Sequence, residues 1–155
     1  MPNMSTDNEH YMSQAIDLAK LAFANDEVPV GAVIVERKSN TVIAKSSNKM
    51  REKKNAIYHA EILSIQQACN HLQNERLVGC DIYVSLEPCP MCAHAISIAR
   101  LDNLFFAAED QKSGGVLNGP KIFDSSSCHH KPVVHSGIFS DKSSLLLKEF
   151  FKSKR

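Results

Sequence analysis

Two short segments of this chain carry residues whose types and spacing could do chemistry: His59-Ala60-Glu61 and Pro88-Cys89-Pro90-Met91-Cys92. Together they supply one imidazole, two thiols and one further carboxylate. One nitrogen and two sulfurs give a zinc ion three protein ligands and leave a fourth position for water, the coordination of catalytic rather than structural zinc. Cys89 and Cys92 are three positions apart, so at the start of a helix they share a face and can grip one ion. Pro90 suits a first helical turn, and thiolates placed there gain from the positive end of the helix dipole. His59, at the start of another helix, would bring a second such end to the same point. Glu61 lies two positions beyond His59, points in a different direction and need not coordinate. It can instead face the water, whose pKa zinc lowers to about 7, and carry protons, a role worth roughly 10²–10⁴ in rate.

Each motif alone is common. A lone His-x-Glu occurs in many helices, and a lone Cys-x-x-Cys also marks thiol-disulfide oxidoreductases. Both in order, with a strand feeding the second into a helix, form the H-x-E…P-C-x-x-C signature of zinc-dependent nucleobase deaminases. In that chemistry Glu61 takes a proton from water and passes it to a ring nitrogen. Hydroxide attacks the carbon bearing the exocyclic amine, and Glu61 returns a proton to the amine, which leaves as ammonia. Two rival classes stay open. A thiol-disulfide oxidoreductase gives no task to His59 or Glu61. A structural zinc-binding module needs a fourth ligand, for which Cys128, His129 and His130 are the clustered candidates.

The elements that must position these residues follow from periodicity. Thr6-Asp7-Asn8-Glu9 has capping-box spacing, and Met12, Ala15, Ile16, Ala19, Ala22 and Phe23 recur at helical spacing, so a helix is expected over 9–24 with a flexible tail over 1–8. The β-branched runs 28–36 and 41–45 read as a hairpin. Ile62, Ile65, Cys69 and Leu72 mark a second helix from Ala60, 81–86 a buried strand, 91–100 a third helix and 103–107 a further strand. Gly114, Gly115, Gly119 and Pro120 place a loop over 109–120, and Ser140 or Asp141 could cap a last helix through Phe151. This alternation implies a mixed sheet with helices on its faces.

At 155 residues the chain suits one domain. Its 43% hydrophobic and 23% charged residues are the balance of a globular protein. It has no apolar run approaching the roughly 20 residues of a spanning helix. The polar first ten residues lack the apolar stretch of a signal peptide, so the cytoplasm is expected. Five scattered cysteines do not read as a disulfide framework, and Cys69 and Cys80 read as small core residues. A net charge of +1 does not itself point to nucleic acid. Two basic segments, Lys49 to Lys54 and Lys142 to Arg155, read either as solvated surface or as phosphate contacts.

With these residues placed, the chain resembles the bacterial tRNA-specific adenosine deaminases of the cytidine deaminase superfamily over nearly its whole length. The resemblance runs through Glu27-Val28-Pro29-Val30-Gly31-Ala32-Val33, Asn48, the two metal motifs with Tyr83-Val84-Ser85-Leu86-Glu87 before the second, Asp110 with Lys112 and Gly114, Ser136-Gly137-Ile138 and Phe150-Phe151. It implies a three-layer α/β/α sandwich with a mixed five-stranded sheet, a homodimer, one Zn²⁺ per chain, and conversion of adenosine to inosine at the wobble position of a tRNA anticodon. By matched position, His59, Cys89 and Cys92 would bind zinc and Glu61 would move protons. Asn48 would hydrogen-bond the purine, the Ala60 backbone would lie near the reacting group, and Asp110 would touch a neighbouring nucleotide of the anticodon stem-loop. A deaminase of a free base or nucleoside, guanine or cytosine, would share every metal residue and is the alternative within the enzyme class. Two departures stand out. Asn55-Ala56-Ile57-Tyr58 replaces the Asp-Pro-Thr-Ala of many relatives, and Glu109 stands where many tRNA-acting members have arginine.

Overall fold

The computed structural model describes residues 4–154. Strands β1 (Gly31–Glu36), β2 (Thr41–Ser47), β3 (Cys80–Leu86), β4 (Asn103–Ala108) and β5 (Val133–Ser136) form one sheet in the order β2-β1-β3-β4-β5. β1 is antiparallel to β2 and β3, whereas β4 is parallel to β3 and to β5. Helices α1 (Met4–Ala24) and α4 (Ser140–Ser153) cover one face, and α2 (Ala60–Leu72) and α3 (Pro90–Ile98) the other. The expected three-layer α/β/α sandwich with a mixed five-stranded sheet is the architecture found.

Side chains alternate across a strand, so two cores share one sheet. Ala32, Ile34, Ile82, Val84, Leu104 and Phe106 pack with Ala60 and Ala68 of α2 and Ala93 and Ile96 of α3. Val33, Val35, Tyr83, Phe105 and Ala107 pack with Tyr11, Met12, Ala15 and Ile16 of α1. Burial on both faces is why these strands read as continuous apolar runs rather than alternating ones. Gly31 lets α1 lie directly on β1, because a Cβ there would sit 2.1 Å from the Ala15 carbonyl oxygen.

Several boundaries differ from the sequence reading, for physical reasons. Residues 4–8, expected within a flexible tail, are helical, and Asn8 is held by the Tyr83 hydroxyl, which donates to its Oδ1 at 2.6 Å. Residues 1–3 of that tail lie outside the described residues. The helix therefore starts before the capping-box spacing at Thr6. β1 begins at Gly31 rather than Val28, since the Val30 amide turns back onto the Val28 carbonyl at 2.8 Å. The buried stripe of α2 is Ala60, Ser64 and Ala68, while Ile65, Cys69 and Leu72 are half-buried at its flank. Small residues, and the Ser64 hydroxyl donating to the Ala32 carbonyl at 3.2 Å, let this helix approach the sheet closely. α4 begins at Ser140 and runs two residues past Phe151, and no side chain caps its start.

Candidate active site

The two chemical motifs meet where α2 and α3 begin. His59 is the N-cap of α2 and Cys89 the N-cap of α3, both in extended backbone, with Pro90 opening the first turn of α3. Cys92, one turn into α3, is buried. The Sγ atoms of Cys89 and Cys92 lie 3.7 and 3.5 Å from His59 Nδ1, and the three donor atoms are all within 4.8 Å of one another. Zinc bonds of about 2.3 Å to sulfur and about 2.1 Å to nitrogen, meeting at the tetrahedral angle, put those atoms about 3.6 Å apart. The spacing is that of neighbouring corners of a tetrahedron, and one imidazole with two thiols is a donor set that fits zinc.

The electrostatics of the triad point the same way. A hydrogen bond from the Cys92 thiol, with His59 also beside it, holds Cys89 down to about 4 against the opposing effect of burial. Cys89 in turn raises His59, and Cys89 together with burial pushes Cys92 up.

Glu61, at the second position of α2, is buried behind His59, and its Oε1 has no hydrogen-bond partner among the described residues. Burial pushes this carboxyl up to about 7, although His59 and Cys92 pull the other way. An acid that gains and loses its proton near neutrality, beside three metal donors, is suited to proton transfer.

His59 also lines an open cleft of about 620 Å³, together with Val28, Val30, Asn48, Met50 and Leu86, the loop 109–113, and Leu147 and Phe151 of α4. Of the residues singled out from sequence, His59, Asn48 and Asp110 line this cleft, while Ala60, Glu61 and Cys92 are buried beneath it. Asn48 fastens the start of α2: its Oδ1 accepts from the Ala60 amide at 2.8 Å and its Nδ2 donates to the Val28 carbonyl at 3.1 Å. Each Asn48 atom keeps one further bonding capacity, whereas the Ala60 amide is committed. Asp110 turns its own loop, Oδ1 accepting from the amides of Lys112 and Ser113 at 3.1 and 2.9 Å. Glu109 sits at the rim, where Asn118 Nδ2 donates to it at 3.3 Å. Ile57, one of the departures, is half-exposed.

Two buried carboxylates that stand in matched segments of the sequence, with no role assigned there, shape the walls of this cleft. Glu27 accepts from the Arg51 amide at 3.0 Å and the Glu52 amide at 2.9 Å, fixing the turn that carries Met50. Glu87 accepts from the amides of Asp110, Val116, Leu117 and Asn118 at 3.0–3.1 Å and from Asn118 Nδ2 at 2.6 Å. Burial opposes ionisation of Glu87, but these donors hold it below the usual carboxylate range. An acid between Leu86 and Pro88 was the available signal. Its partners are main-chain amides, which a sequence does not display.

The basic segments are only partly free. Arg51 and Lys154 both pair with Asp26, and Lys49 lies 3.7 Å from Glu52. Lys53, Lys54, Lys148 and Lys152 are exposed and, among the described residues, make no ion pair. Cys128 and His130 sit at the far end of α3, where Ser97 contacts the Cys128 sulfur at 3.2 Å and His130 Nε2 lies 2.7 Å from the Leu101 carbonyl. Among the described residues they do not join the His59, Cys89 and Cys92 group, and His129 does not either.

Residues 6–155 match the MafB19-like deaminase family. The chain is 49% identical over 144 residues to the tRNA-specific adenosine deaminase of Rickettsia bellii, covering 93% of this chain and 99% of the relative. It is 37% identical over 150 residues to that of Bacillus subtilis, covering 97% and 92%. Among solved structures, one from studies of A-to-I editing by tRNA:A34 deaminases at the wobble position superposes with a TM-score of 0.86 at 46% identity, covering 89% of this chain and 99% of the other. A guanine deaminase from Nitrosomonas europaea superposes with a TM-score of 0.79 at 25% identity, covering 92% and 83%.

Proposed function

This chain belongs to the family of tRNA-specific adenosine deaminases, and we propose that it converts adenosine to inosine at the wobble position of a tRNA anticodon. Residues 1–155 act in this reading as one zinc-dependent deaminase domain, working as a homodimer in the cytoplasm, where its RNA substrate is found. The observation that carries the reading is the corner at which three donors at tetrahedral spacing adjoin a buried carboxyl oxygen without a partner.

His59, Cys89 and Cys92 would hold one zinc ion per chain. When bound, zinc supplies Lewis acidity that brings the pKa of a water to about 7. Glu61 moves the protons: its carboxylate takes the two protons of the attacking water in turn, delivering the first to a purine ring nitrogen and the second to the exocyclic amine, which leaves as ammonia. The purine gains an oxygen from water and loses ammonia. Asn48, held by Ala60 and Val28, keeps one donor and one acceptor for the purine edge. Asp110 contacts a neighbouring nucleotide, and the exposed lysines of the two basic segments meet phosphates. An anticodon loop suits the open cleft because its bases are already unpaired and need not be torn from a duplex.

The deciding experiment incubates the purified protein with an adenosine-containing anticodon stem-loop, with free adenosine and with free guanine. Inosine in the RNA alone is expected. Ammonia from guanine alone would replace this reading with that of a free-base deaminase, the activity named for the Nitrosomonas europaea neighbour.

A further inference from the structure

We propose that Glu87 is a positioning residue for RNA: it clamps the loop 109–118 onto the metal-motif segment, so that Asp110 and Lys112 are presented to the bound nucleotides. This rests on the reading of the chain as a deaminase of an anticodon loop. The role differs from that of the metal ligands, since the Glu87 carboxylate accepts from residues of the loop and is not one of the three donors. Its two oxygens divide the work. Oε1 accepts from the Asp110 amide and Asn118 Nδ2, and Oε2 from the amides of Val116, Leu117 and Asn118. No other side chain among the described residues gathers as many loop amides.

The loop is built to sit against this carboxylate. A Cβ on Gly114 would lie 2.4 Å from Glu87 Oε2 and 2.4 Å from the Asp110 carbonyl oxygen, and a Cβ on Gly115 would lie 2.5 Å from the Pro90 nitrogen. The Gly115 amide donates to the Pro88 carbonyl at 2.8 Å, and the Glu87 amide to the Ala108 carbonyl at 2.8 Å. The cleft side of the same loop is formed by Glu109, Asp110, Gln111, Lys112 and Ser113. One carboxylate therefore sets where the end of β3 stands relative to the wall that RNA would meet.

The isosteric change Glu87→Gln is a sharp test. Whichever way the amide is turned, its NH₂ group meets at least two donors and can accept from neither. Glu87→Asp keeps the charge on a shorter arm, and Gly114→Ala displaces the loop while leaving the carboxylate intact. Each variant would be measured for zinc content, stem-loop affinity, single-turnover rate at saturating RNA and amide hydrogen exchange. For Glu87→Gln we expect zinc retained and exchange accelerated at Asp110, Val116, Leu117 and Asn118. Affinity should be weaker by about tenfold or more, with the saturated rate nearly unchanged. Glu87→Asp should recover part of the protection and affinity, and Gly114→Ala should lose affinity in the same way. Unchanged affinity with a lost rate or lost zinc would overturn the proposal, as would full protection of those four amides. If the unmodified protein leaves the RNA unconverted, the functional reading fails. The exchange data would then still report whether Glu87 holds the loop.

Discussion

Glu61 and Glu87 flank the same three metal donors at almost equal depth, 3% and 2% exposed, and their surroundings treat them in opposite ways. Glu61 has an oxygen with no partner, and desolvation drives its carboxyl up to about 7. Glu87 is saturated by four amides and one side-chain NH₂ group, and those donors hold its carboxyl low although burial pushes it up. Burial alone therefore does not decide what an acid does. A buried carboxyl with an unpartnered oxygen keeps its proton negotiable, and one with a full set of donors becomes a fixed anion that holds structure. Glu27, also 2% exposed, likewise grips main-chain amides, though fewer of them, at Arg51 and Glu52.

This contrast breaks most easily at Glu61. Glu61→Gln should lower turnover by roughly 10²–10⁴ with zinc content unchanged and the unfolding midpoint close to that of the parent; a variant that stays active would remove Glu61 from proton transfer. Glu87→Gln should do the reverse, lowering unfolding free energy by about 2 kcal/mol, measured in urea, with zinc and saturated rate kept. Glu27→Gln should cost less, about 1 kcal/mol, because a Gln carbonyl in the Oε2 place still reaches both the Arg51 and Glu52 amides, whereas at Glu87 at least two donors lose their acceptor. A Glu27 variant as damaging as the Glu87 variant would mean that donor number does not rank the two walls. The smallest effect concerns the rim. Lys148→Glu with Lys152→Glu should flatten the salt dependence of stem-loop binding, whereas Lys154→Glu should also lose its pairing with Asp26 and register in stability.

The metal motifs were legible in the sequence because their chemistry is carried by side chains at fixed spacing, and the structure brings His59, Cys89 and Cys92 to one point. Helices α2 and α3 and strands β3 and β4 were legible for the same reason, each as a run of apolar residues of the right period. β5 was not located, since Val133–Ser136 is short, lies at the sheet edge and is largely exposed, leaving no apolar pattern to read. The buried face of α2 was misjudged because Ala60, Ser64 and Ala68 are small, and closeness of approach rather than bulk decides which side meets the sheet. Asn48 was reached only through resemblance. Its tie to the Ala60 amide crosses from one segment to another and leaves no mark in local pattern. Glu27 and Glu87 stood within matched segments but without a role, for a related reason: acids that bond main-chain amides have no counter-charge to reveal them.

Gripping main chain rather than side chain has a consequence for how such a scaffold diversifies. Every non-proline residue offers the same amide, so the anchors at Arg51, Glu52, Val116 and Leu117 place no demand on which side chains stand there. The rim can be rewritten residue by residue for a new nucleobase or a new RNA, while the frame beneath it is left undisturbed.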